Sequence, residues 1–201
     1  MHSLGISQKS YRLIETFIEN YIIKRKVRNM SRQSNFYNIC RSCTRLCCQD
    51  VKPAVTNQRK KIIENHLKIK GLKISAPFKR EEYLFSKATE EGLCIFLDKA
   101  TKQCIIQPVK PEICVAYPIT FDINRKTNTI EWYLKIEKSC PLAGVLISDK
   151  SALSQHLNVA KTELIPMVQQ LGKDELDKIL TIEELDTFKI GEDRLPEKLP
   201  E

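Results

Sequence analysis

The stretch Cys40-Arg-Ser-Cys-Thr-Arg-Leu-Cys-Cys48 decides how this chain is interpreted, because it places four thiols within nine residues. The other four cysteines follow singly at Cys94, Cys104, Cys114 and Cys140. Cysteines that serve only as small core hydrophobes would be spread more evenly along the chain. The clustering therefore indicates shared chemistry, which means disulfides, a metal ion or an iron–sulfur cluster.

The spacing within this stretch is typical of metal ligands. Two residues separate Cys40 from Cys43, which lets both sulfurs of a tight turn reach one ion. Cys47 follows after three more residues, as in runs that bind iron–sulfur clusters. Adjacent side chains of an extended segment point to opposite sides, so Cys47 and Cys48 are not expected to bind the same ion. One of them would complete the first site, while the other serves a second site or packs.

The N-terminal sequence favours metal over disulfides. Its first ten residues lack the apolar core of a secretory signal, and no apolar run is long enough to cross a bilayer. We therefore expect a cytoplasmic protein with no membrane partner, in a compartment that keeps thiols reduced. The expected cofactor is an iron–sulfur cluster or iron. Zn²⁺ is the alternative, because four-thiolate sites commonly hold structural zinc.

All eight cysteines are candidate metal ligands: Cys40, Cys43, Cys47, Cys48, Cys94, Cys104, Cys114 and Cys140. The first choices as shared ligands are Cys40, Cys43, Cys104 and Cys114. Cys104 lies at the end of a predicted hairpin. Cys114 lies on a predicted helical turn that starts at a proline, and free amides there could hydrogen-bond a sulfur. No catalytic residue can be named, and the chain has neither a G-x-G-x-x-G stretch nor a P-loop.

Charge is distributed unevenly along the 201 residues. The formal net charge is +8, yet residues 174–201 hold ten acidic and four basic side chains. The basic remainder could attract nucleic acid or an acidic protein, and we expect such a partner to bind this basic surface. The acidic segment could equally fold back on the basic body.

Hydrophobic periodicity predicts helices at both ends of the chain. Apolar residues at helical spacing predict a helix over residues 7–30. A second helix is expected to begin after Thr56 and stop at Gly71. A long helix should follow Ser148 or Asp149 and run to about Leu171, with Gly172 as its stop. Two short acidic helices are expected next, the second opening with Thr181-Ile-Glu-Glu184, and the last ten residues look disordered.

The middle of the chain is predicted to form short strands. Tyr83 to Phe85 and Cys94 to Leu97 read as short strands, and the second should pair with Cys104 to Ile106 in a hairpin. Pro111 should start a one-turn helix. Two alternating stretches, 119–123 and 130–136, predict an antiparallel hairpin with Phe121, Trp132 and Leu134 facing a core. The fold class is therefore α+β.

Several of these residues together resemble one known family. Cys40-x-x-Cys43-x-x-x-Cys47-Cys48, Leu93-Cys-Ile-Phe-Leu-Asp98, Cys104, Lys110-Pro-Glu-Ile-Cys-Val-Ala-Tyr-Pro118 and Cys140-Pro141 resemble the YkgJ-type cysteine-cluster family. The resemblance covers about residues 36–145 and implies zinc or iron chelation. The family's usual opening has two residues before the double cysteine, whereas this chain has three. Flagellin lysine N-methylases carry a similar cysteine region, which implies a methyltransferase-like enzyme as a weaker alternative.

Three segments are expected from these patterns. Residues 1–35 would form an N-terminal helix on the core, residues 36–145 the cysteine-cluster metal-binding domain, and residues 146–201 C-terminal helices with an acidic tail. The first expectation for function is an iron–sulfur or iron protein that serves electron transfer or supports modification of another macromolecule. The second is a structural-zinc module that binds nucleic acid or protein through its basic surface.

Overall fold

The computed structural model describes residues 39, 40, 43 and 47–196. The chain divides into two compact units, Met1–Asn38 and Ile39–Glu201, and every described residue belongs to the second unit. The helix predicted over residues 7–30 lies outside the described residues. Helices and small antiparallel sheets together make the described part α+β, as the sequence predicts.

The first described helix, α1 (Asn57–Ile69), confirms the predicted boundaries. Thr56 Oγ1 accepts a hydrogen bond from the amide of Arg59 at 3.0 Å, which satisfies one amide of the first turn. At the other end Gly71 has a φ of +65°, a conformation that glycine adopts without strain. The helix buries Ile63 on the side that faces the core.

Two small hairpins follow α1. Strand β1 (Phe78–Arg80) pairs with β2 (Leu84–Ser86), and β3 (Leu97–Asp98) pairs with β4 (Gln103–Cys104). The prediction of a hairpin that ends at Cys104 is confirmed, but its first strand is shorter than expected, so Cys94 precedes the hairpin. The reason is that residues before Leu97 pair elsewhere: Cys94 forms a bridge with Ala88, and the amide of Ile95 donates to the carbonyl of Lys87 at 3.0 Å.

A short helical segment leads from this hairpin to the central sheet. A 3₁₀ turn spans Gln107–Val109 and helix α2 spans Glu112–Ala116, with Pro111 at its N-cap as the sequence predicts. After α2 the backbone becomes extended at Tyr117, whose ψ is 135°.

The central sheet contains three antiparallel strands in the order β5-β6-β7: Ile119–Asn124, Thr129–Lys135 and Thr187–Arg194. The predicted hairpin is β5 with β6, and Trp132 and Leu134 are fully buried on its inner face. Phe121, which the sequence also assigned to the core, is only half-buried. The indole Nε1 of Trp132 donates a hydrogen bond to Asp193 of β7, so the polar edge of the ring is satisfied.

Strand β7 overturns one prediction. The second acidic helix expected to open at Thr181 does not form, because Thr181 ends the preceding helix and the chain continues into β7. Glu184, which was expected to cap that helix, instead forms an ion pair with Lys135 at 2.7 Å. The disorder expected from residue 192 is also wrong up to Leu195, which is 3% exposed. Strand β7 forms because one edge of β6 would otherwise be unpaired, and no local sequence pattern reveals that edge.

Three helices connect β6 to β7: α3 (Pro141–Ser148), α4 (Lys150–Gln170) and α5 (Lys173–Leu180). The long helix α4 starts as predicted, with the carboxylate of Asp149 accepting from the amide of Ala152 at 3.0 Å. Gly172 follows α4 and is also the N-cap of α5. Helix α3 was not predicted from the sequence. Helix α4 packs against α2 and also contacts α3 and β5. None of the helices that the structure describes is both long and apolar enough to cross a membrane.

The acidic C-terminal segment pairs with the basic body. Glu175 pairs with Arg80, Asp177 with Arg125, Glu184 with Lys135, and Asp193 with Lys161. These ion pairs lie near the surface, so each contributes little stability on its own. Together they show that much of the charge asymmetry in the sequence is balanced within the fold.

Candidate metal centre

All eight cysteines lie among the described residues, and all are free thiols. Cys40 and Cys47 are exposed, Cys140 is buried, and the other five are partly buried. The thiols are contributed by five separate stretches of chain rather than by one loop. The clustering in sequence therefore extends into three dimensions through the contacts described next.

Backbone hydrogen bonds fasten the first cysteine stretch to the stretch before β3. The amide of Cys94 donates to the carbonyl of Cys48 at 2.7 Å, and the amide of Asp50 donates to the carbonyl of Gly92 at 2.8 Å. Gly92 has a φ of +77°, and a Cβ there would lie 2.1 Å from the Asp50 carboxylate. A side chain here would be strained by this φ and would displace the Asp50 carboxylate, so glycine favours the close approach of the two stretches.

Backbone amides that follow in the chain favour the charged form of three thiols. The sulfur of Cys94 accepts from the amide two residues later, and Cys104 does the same with Ile106. Cys140 occupies the N-cap of α3, where the amides of Leu142 and Ala143 lower the pKa of its thiol against the effect of burial. Such bonds favour the thiolate, which is the form that binds metal. The local backbone thus prepares Cys94, Cys104 and Cys140 to carry negative charge.

The sequence argument had expected amide support at Cys114 instead. Burial is the main cause that raises the pKa of Cys114 to about 12, the nearby thiols of Cys94 and Cys104 contribute in the same direction, and the ammonium of Lys110 lowers it. No backbone amide is among these causes. Cys114 therefore lies in the cysteine cluster, but its surroundings do not favour a thiolate without an added positive charge.

Electrostatic interactions divide the thiols into two groups. One group comprises Cys94, Cys104 and Cys114, the other comprises Cys40, Cys43 and Cys140, and Cys47 interacts with members of both. In each thiol whose pKa is shifted by burial, the neighbouring sulfurs raise the pKa further, because several thiolates repel one another. A bound cation would reverse this effect by attracting all of them.

Cys47 and Cys48 do not follow the expectation for adjacent residues in an extended segment. They lie in a turn, and their thiols are hydrogen-bonded to each other. This hydrogen bond is the largest of the effects that raise the pKa of Cys47 well above its ordinary value. The premise that their side chains point apart is therefore wrong, because a turn brings neighbouring side chains to the same side.

Lys110 supplies positive charge close to the cysteines. Its half-buried ammonium lowers the pKa of Cys40, Cys47, Cys104 and Cys114, opposing the effect of burial. The sequence argument quoted Lys110 only as part of the Lys-Pro element. Its position between Cys104 and Cys114 was the available signal that it would lie among the thiols.

The donor chemistry suits a thiophilic metal, whereas the geometry does not close around a single ion. Within the described residues, no three side chains of His, Cys, Asp and Glu converge as a group that could hold one metal ion. The eight free thiols nevertheless share one region, and backbone amides favour the thiolate in three of them. The residues therefore fit a thiolate-bound metal by their chemistry and by their clustering.

Two residues near the cysteines were not assigned a role from the sequence. His156 of α4 hydrogen-bonds through Nε2 to the carbonyls of Ala116 and Tyr117, at 3.0 and 3.1 Å, and so holds the exit of α2. Both partners are carbonyls, so Nε2 carries the proton. Burial raises the pKa of Tyr117, and the sulfurs of Cys140 and Cys47 raise it further. Both side chains border the cysteine cluster.

An α+β chain with eight free thiols gathered from five stretches belongs to the class of cysteine-rich metal-binding proteins. The sequence profile of the CxxCxxCC family, described as a putative zinc- or iron-chelating domain, matches residues 39–141. The chain belongs to this family, and the resemblance seen in the sequence is confirmed.

Similarity also extends beyond the family profile. The chain is 27% identical over 154 residues to an uncharacterized protein of Methanocaldococcus jannaschii, covering 76% of this chain and 77% of the relative. No solved structure matches this chain.

Proposed function

We propose that this chain is a cytoplasmic protein whose cysteine cluster holds an iron–sulfur cluster or iron. The carrying observation is the set of eight free thiols in one region, in three of which backbone amides favour the thiolate. Burial raises the pKa of these three thiols, and a cationic centre would supply the charge that stabilises their thiolates. Membership of a family described as zinc- or iron-chelating supports the same chemistry.

The arrangement of the thiols favours a cluster over one zinc ion. Four sulfurs that bind one Zn²⁺ at about 2.3 Å must lie within about 4 Å of one another. No three described side chains of His, Cys, Asp and Glu form a group that could hold one metal ion, although the thiols form two neighbouring groups. A polynuclear cluster separates its cysteine ligands more widely, so it suits thiols that share a region without meeting at a point.

A surface position would suit this centre for exchange with other macromolecules. Cys40 and Cys47 are exposed, so one side of the cysteine cluster faces solvent. An iron–sulfur centre would supply one-electron chemistry there, for electron transfer or in support of the modification of another macromolecule.

Anaerobic purification of the reduced full-length chain tests the proposal. We expect iron by metal analysis together with visible absorbance, because thiolate-bound iron absorbs visible light whereas Zn²⁺ does not. Zinc without colour would support the structural-zinc alternative. A protein purified without oxidant that carries four disulfides and no metal would contradict both.

Single Cys-to-Ser substitutions test which thiols are ligands. We expect Cys104→Ser and Cys140→Ser to lower both the metal content and the melting temperature, because backbone amides favour the thiolates of both residues and the two lie in different thiol groups. Cys48→Ser is the matched control, and it should leave metal content nearly unchanged if Cys48 only supports Cys47. Full metal content in both Cys40→Ser and Cys43→Ser would remove the central element of the proposal.

A second candidate, a module that binds a polyanion such as nucleic acid through a basic surface, is favoured by one observation. Four lysines on α1 and the loop after it make no ion pair with a described residue: Lys61, Lys68, Lys70 and Lys73. Each phosphate that a lysine neutralises releases a counterion, so binding should weaken steeply with salt. Replacing all four with Gln should abolish salt-dependent binding to single-stranded RNA, while Lys126→Gln and Lys150→Gln serve as controls.

A further inference from the structure

A buried polar cluster lies beneath the segment that carries Lys110 and Cys114. Its centre is Arg59 of α1, a residue only 5% exposed. The guanidinium Nη1 donates to the backbone carbonyl of Lys110 at 3.2 Å, and Nη2 pairs with the Glu163 carboxylate of α4. Nε of the same guanidinium lies 3.7 Å from Oε1 of Glu112. One side chain therefore joins α1, α4 and the start of α2.

Thr56 completes the cluster through its hydroxyl. Oγ1 accepts from the amide of Arg59 at 3.0 Å and donates to Oε1 of Glu112 at 2.7 Å. The second carboxylate oxygen, Oε2 of Glu112, is buried without a hydrogen-bond partner in the described part of the chain. Burying charged groups costs desolvation energy that an apolar core would avoid, so stability alone does not account for this cluster.

The cluster fixes the backbone on both sides of Pro111. Arg59 holds the carbonyl of Lys110, and Arg59 together with Thr56 holds the side chain of Glu112. Helix α2 has only five residues, so its own hydrogen bonds cannot define where Cys114 stands. External anchors must do so. The contacts described above anchor Lys110 and Glu112, which flank Pro111 and precede Cys114 by four and two residues.

We propose that Arg59 is a positioning residue for the thiol centre, an inference that rests on the metal-binding function proposed above. By fixing the Lys110–Glu112 backbone, it sets where the Cys114 thiol and the Lys110 ammonium stand among the cysteines. Residues that orient ligands without touching the metal commonly change metal affinity about 10- to 100-fold when they are mutated. Arg59 acts in this way from a helix that carries no cysteine.

The primary test compares Arg59→Lys with the wild-type chain, both full-length and reduced. Lysine keeps the positive charge, but its single ammonium cannot reach the carbonyl and both carboxylates together. We expect the dissociation constant for Zn²⁺, measured in competition with a chromophoric chelator, to rise about tenfold or more. The increase in melting temperature on adding Zn²⁺ should shrink accordingly.

Two further variants make the result interpretable. Glu163→Gln keeps an acceptor for Nη2 but weakens the ion pair, so it should raise the dissociation constant in the same direction by a smaller factor. If Arg59→Lys fails to fold, the dissociation constant of Glu163→Gln tests the proposal in its place. Lys60→Gln is the matched control, because Lys60 lies next to Arg59 on α1 and its one ion pair with a described residue is with exposed Glu64. It should bind Zn²⁺ like the wild type.

A purely structural role for Arg59 predicts a different pattern. The metal-free and Zn²⁺-loaded forms would then lose equal stability, and the dissociation constant would stay within twofold of the wild-type value, which overturns the inference while the proposed function stands. A wild-type chain that binds neither zinc nor iron contradicts the proposed function itself, and the inference with it.

Discussion

The cysteine region, residues 47–118, and the sheet region, residues 119–195, are built in different ways. The sheet region has strands of six to eight residues and a long helix, around a core that includes the fully buried Trp132 and Leu134. Apart from α1, the cysteine region has strands of two or three residues, short turns and mostly half-buried thiols.

This difference indicates where each region obtains its stability. Burial of apolar area stabilises the sheet region, since each large buried side chain contributes about 1.5–3 kcal/mol. Two-residue strands bury too little surface to hold their own geometry. The cysteine region also buries apolar side chains, among them Phe96 and Ile106, and metal–thiolate bonds would add cross-links between its turns.

Metal removal should separate the two regions most strongly. Binding free energies of structural thiolate sites reach on the order of 10 kcal/mol, and that energy is coupled to folding. Under anaerobic chelation, we expect amides near Cys94 and Cys104 to lose protection from hydrogen exchange, while amides of β5 and β6 keep theirs. Equal loss of protection in both regions would show that they unfold as one unit.

A core substitution in the sheet region should lower the free energy of unfolding without changing metal content. Leu134→Ala removes a side chain that is 0% exposed, so we expect a loss of about 3 kcal/mol of unfolding free energy in chemical denaturation. Metal content should not change, because Leu134 lies in the sheet rather than among the thiols. Leu185→Ala is the control, since Leu185 is 64% exposed and should cost little. Metal loss in Leu134→Ala would break the distinction between the regions.

The smallest expected effect concerns His156, which joins α4 to the end of α2. Burial lowers its pKa, and the Lys110 ammonium lowers it further, against the two carbonyl hydrogen bonds that raise it. The unfolded chain therefore takes up the proton first, near the ordinary value of about 6.5. The contribution of neutral His156 is complete above that pH and is lost as the pH falls through it.

The melting temperature measured from pH 8 to pH 5 checks this dependence. The wild-type chain should lose more stability over that range than His156→Gln, in which an uncharged amide can donate to the same carbonyls. A difference in melting temperature between the two proteins that does not vary with pH would contradict this expectation. The effect should be smaller than that of either change above, because a single hydrogen-bonded side chain is involved.

Local patterns were sufficient for most elements of the fold. Caps at Thr56 and Asp149 predicted where two helices begin, and alternation predicted the β5–β6 hairpin. Non-local partners explain the failures. Strand β7 forms because the edge of β6 accepts it, and the turn at Cys47 and Cys48 places their thiols together although an extended segment would separate them.

The sequence alone determined the family, the α+β class and the eight cysteines as candidate ligands, because cysteine spacing and hydrophobic periodicity are local properties of a chain. Only the tertiary structure decided in which cysteines backbone amides favour the thiolate, where the Lys110 charge lies, and that Arg59, Glu112 and Glu163 meet in one buried cluster. Those facts depend on contacts between residues as far as 104 positions apart. Residues so far apart in the chain share no spacing that a sequence pattern could express.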